Sequence, residues 1–224
     1  MSGAAKPALR FAILAIDVAL FAVLDRRLCV LLIPVERPPH FLNMRGLPGG
    51  LIAPDETAEQ AVARHLREKA EVSGVYVEQL ATFSAVGRDP RGRVVSVAYL
   101  GLMPAEQAAA IPLARDQRWV SVDRVGHLAY DHDEILATAR ERLGARLGYS
   151  TIARHLIPRE FTLTELQQTY ETVLGRPFDK RNFRKKLQDA GIVRGTGKMR
   201  AGQPSRPAEL YRFAGSDVRL IELF

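Results

Sequence analysis

Cysteine is almost absent. Cys29 is the one such residue among 224, so no intramolecular disulfide can form and a reducing compartment, the cytoplasm, is the expected setting. Long apolar runs are lacking too. The stretch FAILAIDVALFAVL follows Lys6 and Arg10 in the manner of a secretion signal. It falls short of the roughly 20 residues that cross a bilayer, and Asp17 at its centre would be costly in lipid. No small-residue cleavage site follows before Asp25-Arg26-Arg27, so the stretch reads as buried β-structure and no membrane partner is expected. Internal repeats and low-complexity segments are also missing, which removes repeat architectures.

What is present is a chain of 224 residues, long enough for two modest domains or one large one, with an apolar fraction of 47% that is ordinary for a soluble globular protein. The net charge of +7 is unevenly spread. Residues 151–224 hold fourteen Lys and Arg against eight Asp and Glu, while residues 1–150 hold eighteen against seventeen. An excess confined to the last third implies an anionic partner there and a different task for the front.

Residues 1–150 are strand-rich up to about position 120. RFAILAIDVALFAVLDRRLCVLLIPVER reads as two aliphatic strands around a polar turn at Asp25-Arg26-Arg27, and RVVSVAYLGLMP reads as another buried strand. Between them, ETAEQAVARHLREKA sets Ala58, Ala61, Val62, Leu66 and Ala70 on one helical face, entered through a glycine turn. A long helix then begins near Asp131 or Asp133, either of which can cap it, and leads out of the first domain.

Residues 151–224 predict a winged helix-turn-helix. Thr162 or Thr164 can cap the helix ELQQTYETVL, and Asp179 can cap KRNFRKKLQDA, which ends at Gly191. Phe183 and Leu187, at i and i+4, bury one face of the second helix, while Lys180, Arg181, Arg184 and Lys185 project elsewhere. Such a helix suits a DNA major groove, with Arg181 and Asn182 as base-contacting candidates. The loop RGTGKMRAGQPSRPA, with Lys198, Arg200 and Arg206, has the length, glycines and cations of a wing along the neighbouring backbone. A solvated charged helix face is the competing reading; three coincident signals favour double-stranded DNA.

The stretch GGLIAPDETAEQAVARHLREKAEV matches most of the Nudix pyrophosphatase motif. That motif is a glycine, five residues, Glu, seven residues, then Arg-Glu-aliphatic-x-Glu-Glu-x-Gly-aliphatic. Gly50, Glu56, Arg64, Leu66, Glu68 and Val72 occupy its positions and LPGG leads in. The helix sets positions 65, 68 and 69 on one face, where the hydrolases carry Mg²⁺-holding glutamates; this chain has His65, Glu68 and Lys69. An ammonium about 4 Å from a divalent ion costs on the order of 8 kcal/mol at an effective dielectric near 20. The expectation is therefore no metal and no catalytic residue, with the frame kept as a diphosphate site. Glu71 in place of the motif's glycine suggests a rebuilt loop after the helix. Arg64 reads equally as a ligand contact or as a salt bridge to Glu56, and Glu68 as a ligand-hydroxyl acceptor or a partner of Lys69.

A degenerate Nudix box followed by a winged helix resembles the Nudix-related transcriptional regulators of NAD metabolism, the NrtR family. LPGG, REKAEVSGVYVEQLATFS, GRDPRGRVVSVAYLGL, YDHDEIL and FTLTELQQTYETVLGRPFDKRNFRKKL look like segments of that family, so the resemblance covers almost the whole chain. It implies an α+β protein: a Nudix-type α/β/α sandwich with a mixed sheet, residues 1–150, and a C-terminal winged helix-turn-helix, residues 151–224. It further implies a homodimeric repressor that binds ADP-ribose without efficiently hydrolysing it, releases operator DNA in response, and requires no cofactor. A ligand that alters the roughly 34 Å spacing of paired recognition helices weakens operator binding without touching DNA.

The effector residues expected are Gly49, Gly50, Arg64 and Glu68 of the box, with Arg88, Arg91 and Arg93 of GRDPRGR as an arginine clamp. The DNA residues expected are Thr162, Thr164, Lys180, Arg181, Asn182, Arg184, Lys185, Lys198, Arg200 and Arg206. GRDPRGR reads equally as a solvated hairpin turn. The group His127, Asp131, His132 and Asp133 lacks a recognised metal spacing and is taken as a helix start with aromatic packing. Tyr99 and Trp119 are assigned to the core rather than to adenine stacking, and Cys29 to a buried strand. The rival readings are an Mg²⁺-dependent ADP-ribose pyrophosphatase using Glu56, Glu68 and Glu71, or the same regulator sensing a sugar or another nucleotide sugar.

Overall fold

The computed structural model describes residues 11–114, 116–200 and 207–221. Strand β1 (Ile13–Leu24) joins β2 (Arg27–Arg37) through a two-residue turn. Asp25 and Arg26 both take positive φ there, 47° and 58°, the backbone twist that suits a tight hairpin. Arg27 opens the second strand rather than closing the turn. β3 (Phe41–Gly46) follows on β2, and the short glycine strand β4 (Gly49–Leu51) pairs antiparallel with β1. Helix α1 (Ala58–Ala70) crosses to β5 (Tyr76–Phe83) and β6 (Val94–Leu102). A short helix, α2 (Ala105–Ala110), and strand β7 (Arg118–Ser121) precede the long helix α3 (His132–Tyr149).

The sheet runs β3-β2-β1-β6-β5, with β7 added on β2. β6 lies parallel to β1 from Ile13↔Val94 to Phe21↔Leu102 while the other pairings are antiparallel, so the sheet is mixed. β1 is buried from Ala15 to Ala22 because both faces are covered. Alternate residues divide between two cores: Ile16, Val18, Leu20 and Ala22 face α1, whereas Ala19 and Phe21 share a cluster with α3. Tyr99 and Trp119 join the α1 side, and Cys29 is buried with its thiol pushed up by that burial.

Helix α1 buries Ala61, Val62, Leu66 and Ala70 as the periodicity indicates, and adds His65. Thr57 and Gln60 form a capping box at its start. Its end corrects an expectation. Glu71 sits where the motif has glycine and keeps the glycine conformation, φ 54° and ψ 30°; Val72 N–H donates to the Leu66 carbonyl at 3.1 Å. The loop after the helix is retained rather than rebuilt, with a left-handed non-glycine residue costing roughly 1–2 kcal/mol.

The C-terminal part is a winged helix: α4 (Leu163–Leu174), α5 (Lys180–Asp189), and the hairpin β8 (Val193–Arg200) with β9 (Ala208–Phe213). α4 ends on left-handed Gly175, and Gly191 follows α5 at φ 61°. Its core does not stand apart. Phe161, Leu166, Tyr170, Val173, Phe183 and Leu187 belong to the same apolar cluster as Phe21, Leu28, Val30, Leu100 and Leu143. α3 supplies the bridge through Ile135, Ala139, Leu143 and Leu147, one face of the helix. At the seam the His155 ring stacks on Tyr76 with centroids 4.1 Å apart, and Arg146 pairs with Glu78 at 3.0 Å.

Candidate functional site

A cleft of about 240 Å³ opens where the ends of β1, β2 and β4 meet the β5–β6 loop and the start of α3. Asp17, Arg37, Gly49, Gly50, His65, Lys69, Arg88, Arg91, Tyr130 and His132 line it. The two glycines are there because nothing larger fits. A Cβ on Gly49 would lie 2.3 Å from the Ile16 carbonyl oxygen, and one on Gly50 would lie 2.4 Å from the His65 ring. The helix thus approaches the glycine strand to within hydrogen-bonding reach. His65 Nε2 stands 2.9 Å from the Leu51 carbonyl, and the Lys69 ammonium donates to the carbonyl of Gly49. Burial, and then Arg37, push Lys69 below the usual lysine range.

Asp17, which the sequence offered only as a charge too costly for lipid, anchors the floor of the cleft. It is 6% exposed, accepts from Ser96 at 2.6 Å, and pairs with Arg88 and His132 at 3.2 Å each. His132 Nδ1 accepts the Leu47 N–H at 2.9 Å, so the ring proton sits on Nε2 and is donated to Asp17. Burial pushes the Asp17 carboxyl up, and His132, Ser96 and Arg88 together carry it below its ordinary value.

Of the expected effector residues, Gly49, Gly50, Arg88 and Arg91 line the cleft, and Arg64, Glu68 and Arg93 stand outside it. Arg88 is spent on structure: its guanidinium grips Asp131 through two bonds of 2.7 and 2.6 Å and reaches Asp17. Arg91 pairs with Asp89 at 2.6 Å but keeps an exposed side chain, 5.7 Å from the Tyr130 ring centroid. Arg93 donates to the carbonyls of Ser84 and Ala85, bracing the turn. Arg64 grips Glu56 with a 2.9 Å bond from Nε, the salt-bridge alternative, and holds that carboxyl down at about 2. Glu68 faces Arg64 at 3.4 Å rather than Lys69. Arg37 and Tyr130 are cleft residues that periodicity could not find, since both stand at the ends of elements.

The sequence cluster at the start of α3 scatters. His132 turns inward to Asp17, Asp131 is drawn to Arg88, and Asp133 takes His127 at 2.5 Å and the Leu128 N–H at 3.1 Å. Asp131 occupies the N-cap position without a side-chain cap bond, which corrects its capping role: Arg88 holds the carboxylate elsewhere. Asp133 is inside the first turn. Among the described residues no group of three or more His, Cys, Asp or Glu is placed to hold a metal ion.

On the winged helix, α5 buries Phe183 and Leu187 and exposes Lys180, Arg181, Asn182 and Lys185. Asp179 caps the helix, accepting from Asn182 N–H at 2.8 Å. Lys180, Arg181 and Lys185 make no ion pair among the described residues, so the outer face presents uncompensated positive charge. Arg184 donates to Thr164 Oγ1 at 3.2 Å, linking the exposed start of α4 to the middle of α5. Thr162 is buried instead. Its hydroxyl and backbone serve a capping box with Glu165, so it shapes α4 rather than facing outward. Lys198 and Arg200 lie on β8, because the strand extends further into the wing than the glycines suggested, and they pair with Glu160 at 2.8 Å and Glu165 at 3.0 Å. Arg206 lies outside the described residues.

This is the build of a Nudix domain joined to a winged helix. Residues 14–141 match the NUDIX domain family, and residues 153–213 match the NrtR DNA-binding winged helix domain. The chain belongs to the NrtR family. It is 35% identical over 211 residues, 92% of its length and 83% of the relative's, to the ADPR-responsive transcriptional repressor NtrR of Acinetobacter baylyi. The crystal structure of Shewanella oneidensis NrtR complexed with a 27mer DNA is similar at a TM-score of 0.81 and 37% identity, covering 90% of this chain and 93% of that one. The NUDIX domain of the same Shewanella protein complexed with ADP-ribose matches at 0.53 and 38% identity, covering 63% and 94%.

Proposed function

We propose that this protein is a DNA-binding transcriptional repressor that senses ADP-ribose. Residues 1–150 form the effector-binding part, and residues 151–224 hold the operator until the effector arrives. The observation that carries the reading is the outer face of α5, where Lys180, Arg181 and Lys185 stand unpaired beside Asn182 on a helix whose other face is locked into the shared apolar core. Phosphates complete those cations, and arginine and asparagine read base edges in a major groove. Lys198 and Arg200 then exchange Glu160 and Glu165 for DNA backbone.

The operator-bound form is a homodimer that presents two such helices to successive major grooves, and ADP-ribose acts by binding the non-spanning arrangement more tightly. Its effect on operator affinity equals that difference in affinity, typically about 1–3 kcal/mol. In this reading the Nudix domain needs no cofactor and has no catalytic residue. The regulated genes serve NAD metabolism and the setting is the cytoplasm, as the family resemblance implies.

The test is electrophoretic mobility on DNA upstream of the protein's own and neighbouring genes, titrated with ADP-ribose. Specific retardation relieved by ADP-ribose is the expected result. Specific retardation indifferent to ADP-ribose discards the effector. Metal-dependent release of AMP and ribose phosphate at ordinary enzyme rates, without specific retardation, replaces the repressor with a pyrophosphatase.

A further inference from the structure

The Nudix frame implies a divalent cation against α1, and the donors in this chain do not fit one. Asp17 is the carboxylate lining the cleft beside Lys69, and its oxygens already accept from Ser96, His132 and Arg88. Glu56 is held by Arg64, and Glu68 is half-exposed on Arg64's other side. The Gly49 carbonyl takes the Lys69 ammonium. In place of a carboxylate cage the cleft contains a cation.

That cation is incompletely partnered. An ammonium has three donors, and Lys69 uses one, on a carbonyl, with no carboxylate of the described residues within ion-pair distance. A partly buried charge left without a counter-ion is costly unless an anion completes it. Lys69 shares its cleft with Arg37, Arg88 and Arg91, against Asp17, Glu36 and Asp89. Asp17 and Asp89 are bound to Arg88 and Arg91. The ligand chemistry that satisfies an ammonium flanked by the exposed side chains of Arg37 and Arg91 is a phosphate chain.

We propose that the Lys69 ammonium stands in for the divalent cation of the Nudix frame, so that the cleft takes the diphosphate of a nucleoside diphosphate sugar without metal. The proposal rests on the ADP-ribose reading above, and it deepens that reading by making metal dependence a property of one side chain. A fixed cation at this position attracts the diphosphate, repels Mg²⁺, and supplies no Lewis acid to activate water.

Calorimetric titration of the full chain with ADP-ribose, and separately with inorganic pyrophosphate, in EDTA and in Mg²⁺, tests this. The wild type is expected to bind ADP-ribose in EDTA, with no gain from Mg²⁺. Lys69→Gln should weaken binding roughly tenfold to a hundredfold, the loss of one charged hydrogen-bonding partner, and Lys69→Arg should recover part of it. Operator DNA retardation of each variant serves as the folding control: Lys69→Gln should bind operator normally and resist release. Binding that requires Mg²⁺, or Lys69→Gln binding as tightly as wild type, overturns the proposal. Metal-free, Lys69-dependent binding of pyrophosphate without binding of ADP-ribose keeps Lys69 and discards the ADP-ribose reading. Failure of the wild type to bind either ligand overturns both.

Discussion

Replacing Arg88 with methionine should be among the most damaging single changes in the cleft, and the structure says why. The guanidinium is almost wholly buried and spans two carboxylates, Asp131 through bonds of 2.7 and 2.6 Å and Asp17 at 3.2 Å. Methionine fills the space but strands Asp17, which is 6% exposed and keeps only Ser96 and His132. Breaking a buried pair from one side costs about 3–5 kcal/mol, and at about 2–4 °C per kcal/mol in a chain of this size the melting temperature should fall by roughly 6–20 °C. Urea denaturation with an unchanged slope measures the loss directly.

The pH dependence sharpens the test. In the wild type Asp17 titrates below its ordinary value of 3.8, so its stabilisation is present above that pH and is lost as pH falls through the folded value. In the variant the carboxyl loses the lowering influence of Arg88, the smallest of those acting on it beside His132 and Ser96, and moves up from its wild-type position, so acid relieves the stranded charge sooner than it breaks the wild-type pair. The gap between variant and wild type should therefore narrow as pH falls below the ordinary carboxyl value of 3.8. Adding Asp17→Asn to Arg88→Met should return part of the loss, with a coupling of about 1 kcal/mol or more. A loss under about 1 kcal/mol, against the range given for a buried pair, or a gap that widens in acid, would refute the account.

Glu71→Gly should raise stability by about 1 kcal/mol, since it removes a left-handed non-glycine residue; a lower urea midpoint would contradict this. Burial holds His155 at about 4 against an ordinary 6.5, so the unfolded chain binds more protons in that window and stability rises with pH across it. His155→Phe, keeping the stack on Tyr76, should flatten the pH–stability curve between those values. Asn182→Ala should cost about 1–3 kcal/mol on operator and little on unrelated DNA; equal losses on both would remove it from base reading. Glu160→Gln releases Lys198 from its 2.8 Å partner and should tighten binding to all DNA with a steeper salt dependence, measured by fluorescence anisotropy.

The elements legible in the sequence were those with a strong internal period. The β1–β2 hairpin, β6, α1, α3, α4 and α5 announce themselves by aliphatic alternation or by apolar residues three and four apart. β3, β4 and β7 are too short to show a period and are defined by what they pair with. The cleft divides in the same way. Gly49 and Gly50 were found because their motif is contiguous, but the Asp17–Arg88–Asp131 network joins residues 43 and 71 positions apart. Nothing local to Asp17 reveals those partners. The arginines illustrate the converse: Arg64, Arg88 and Arg93 looked like ligand donors because residue type is visible and partnership is not. Glu71 shows that a motif residue can change while the backbone it serves stays put.

The apolar cluster that runs from Phe21 through Leu143 to Phe183 has a consequence for modularity. A cut near residue 150 would separate two recognisable families but would expose the flank of α3 and the underside of α4 together. Transplanting this reading head onto another receptor therefore requires moving α3 and a matching sheet face with it. Chimeras joined at the boundary by a flexible tether should yield insoluble halves, whereas chimeras joined before α3 should inherit a working joint.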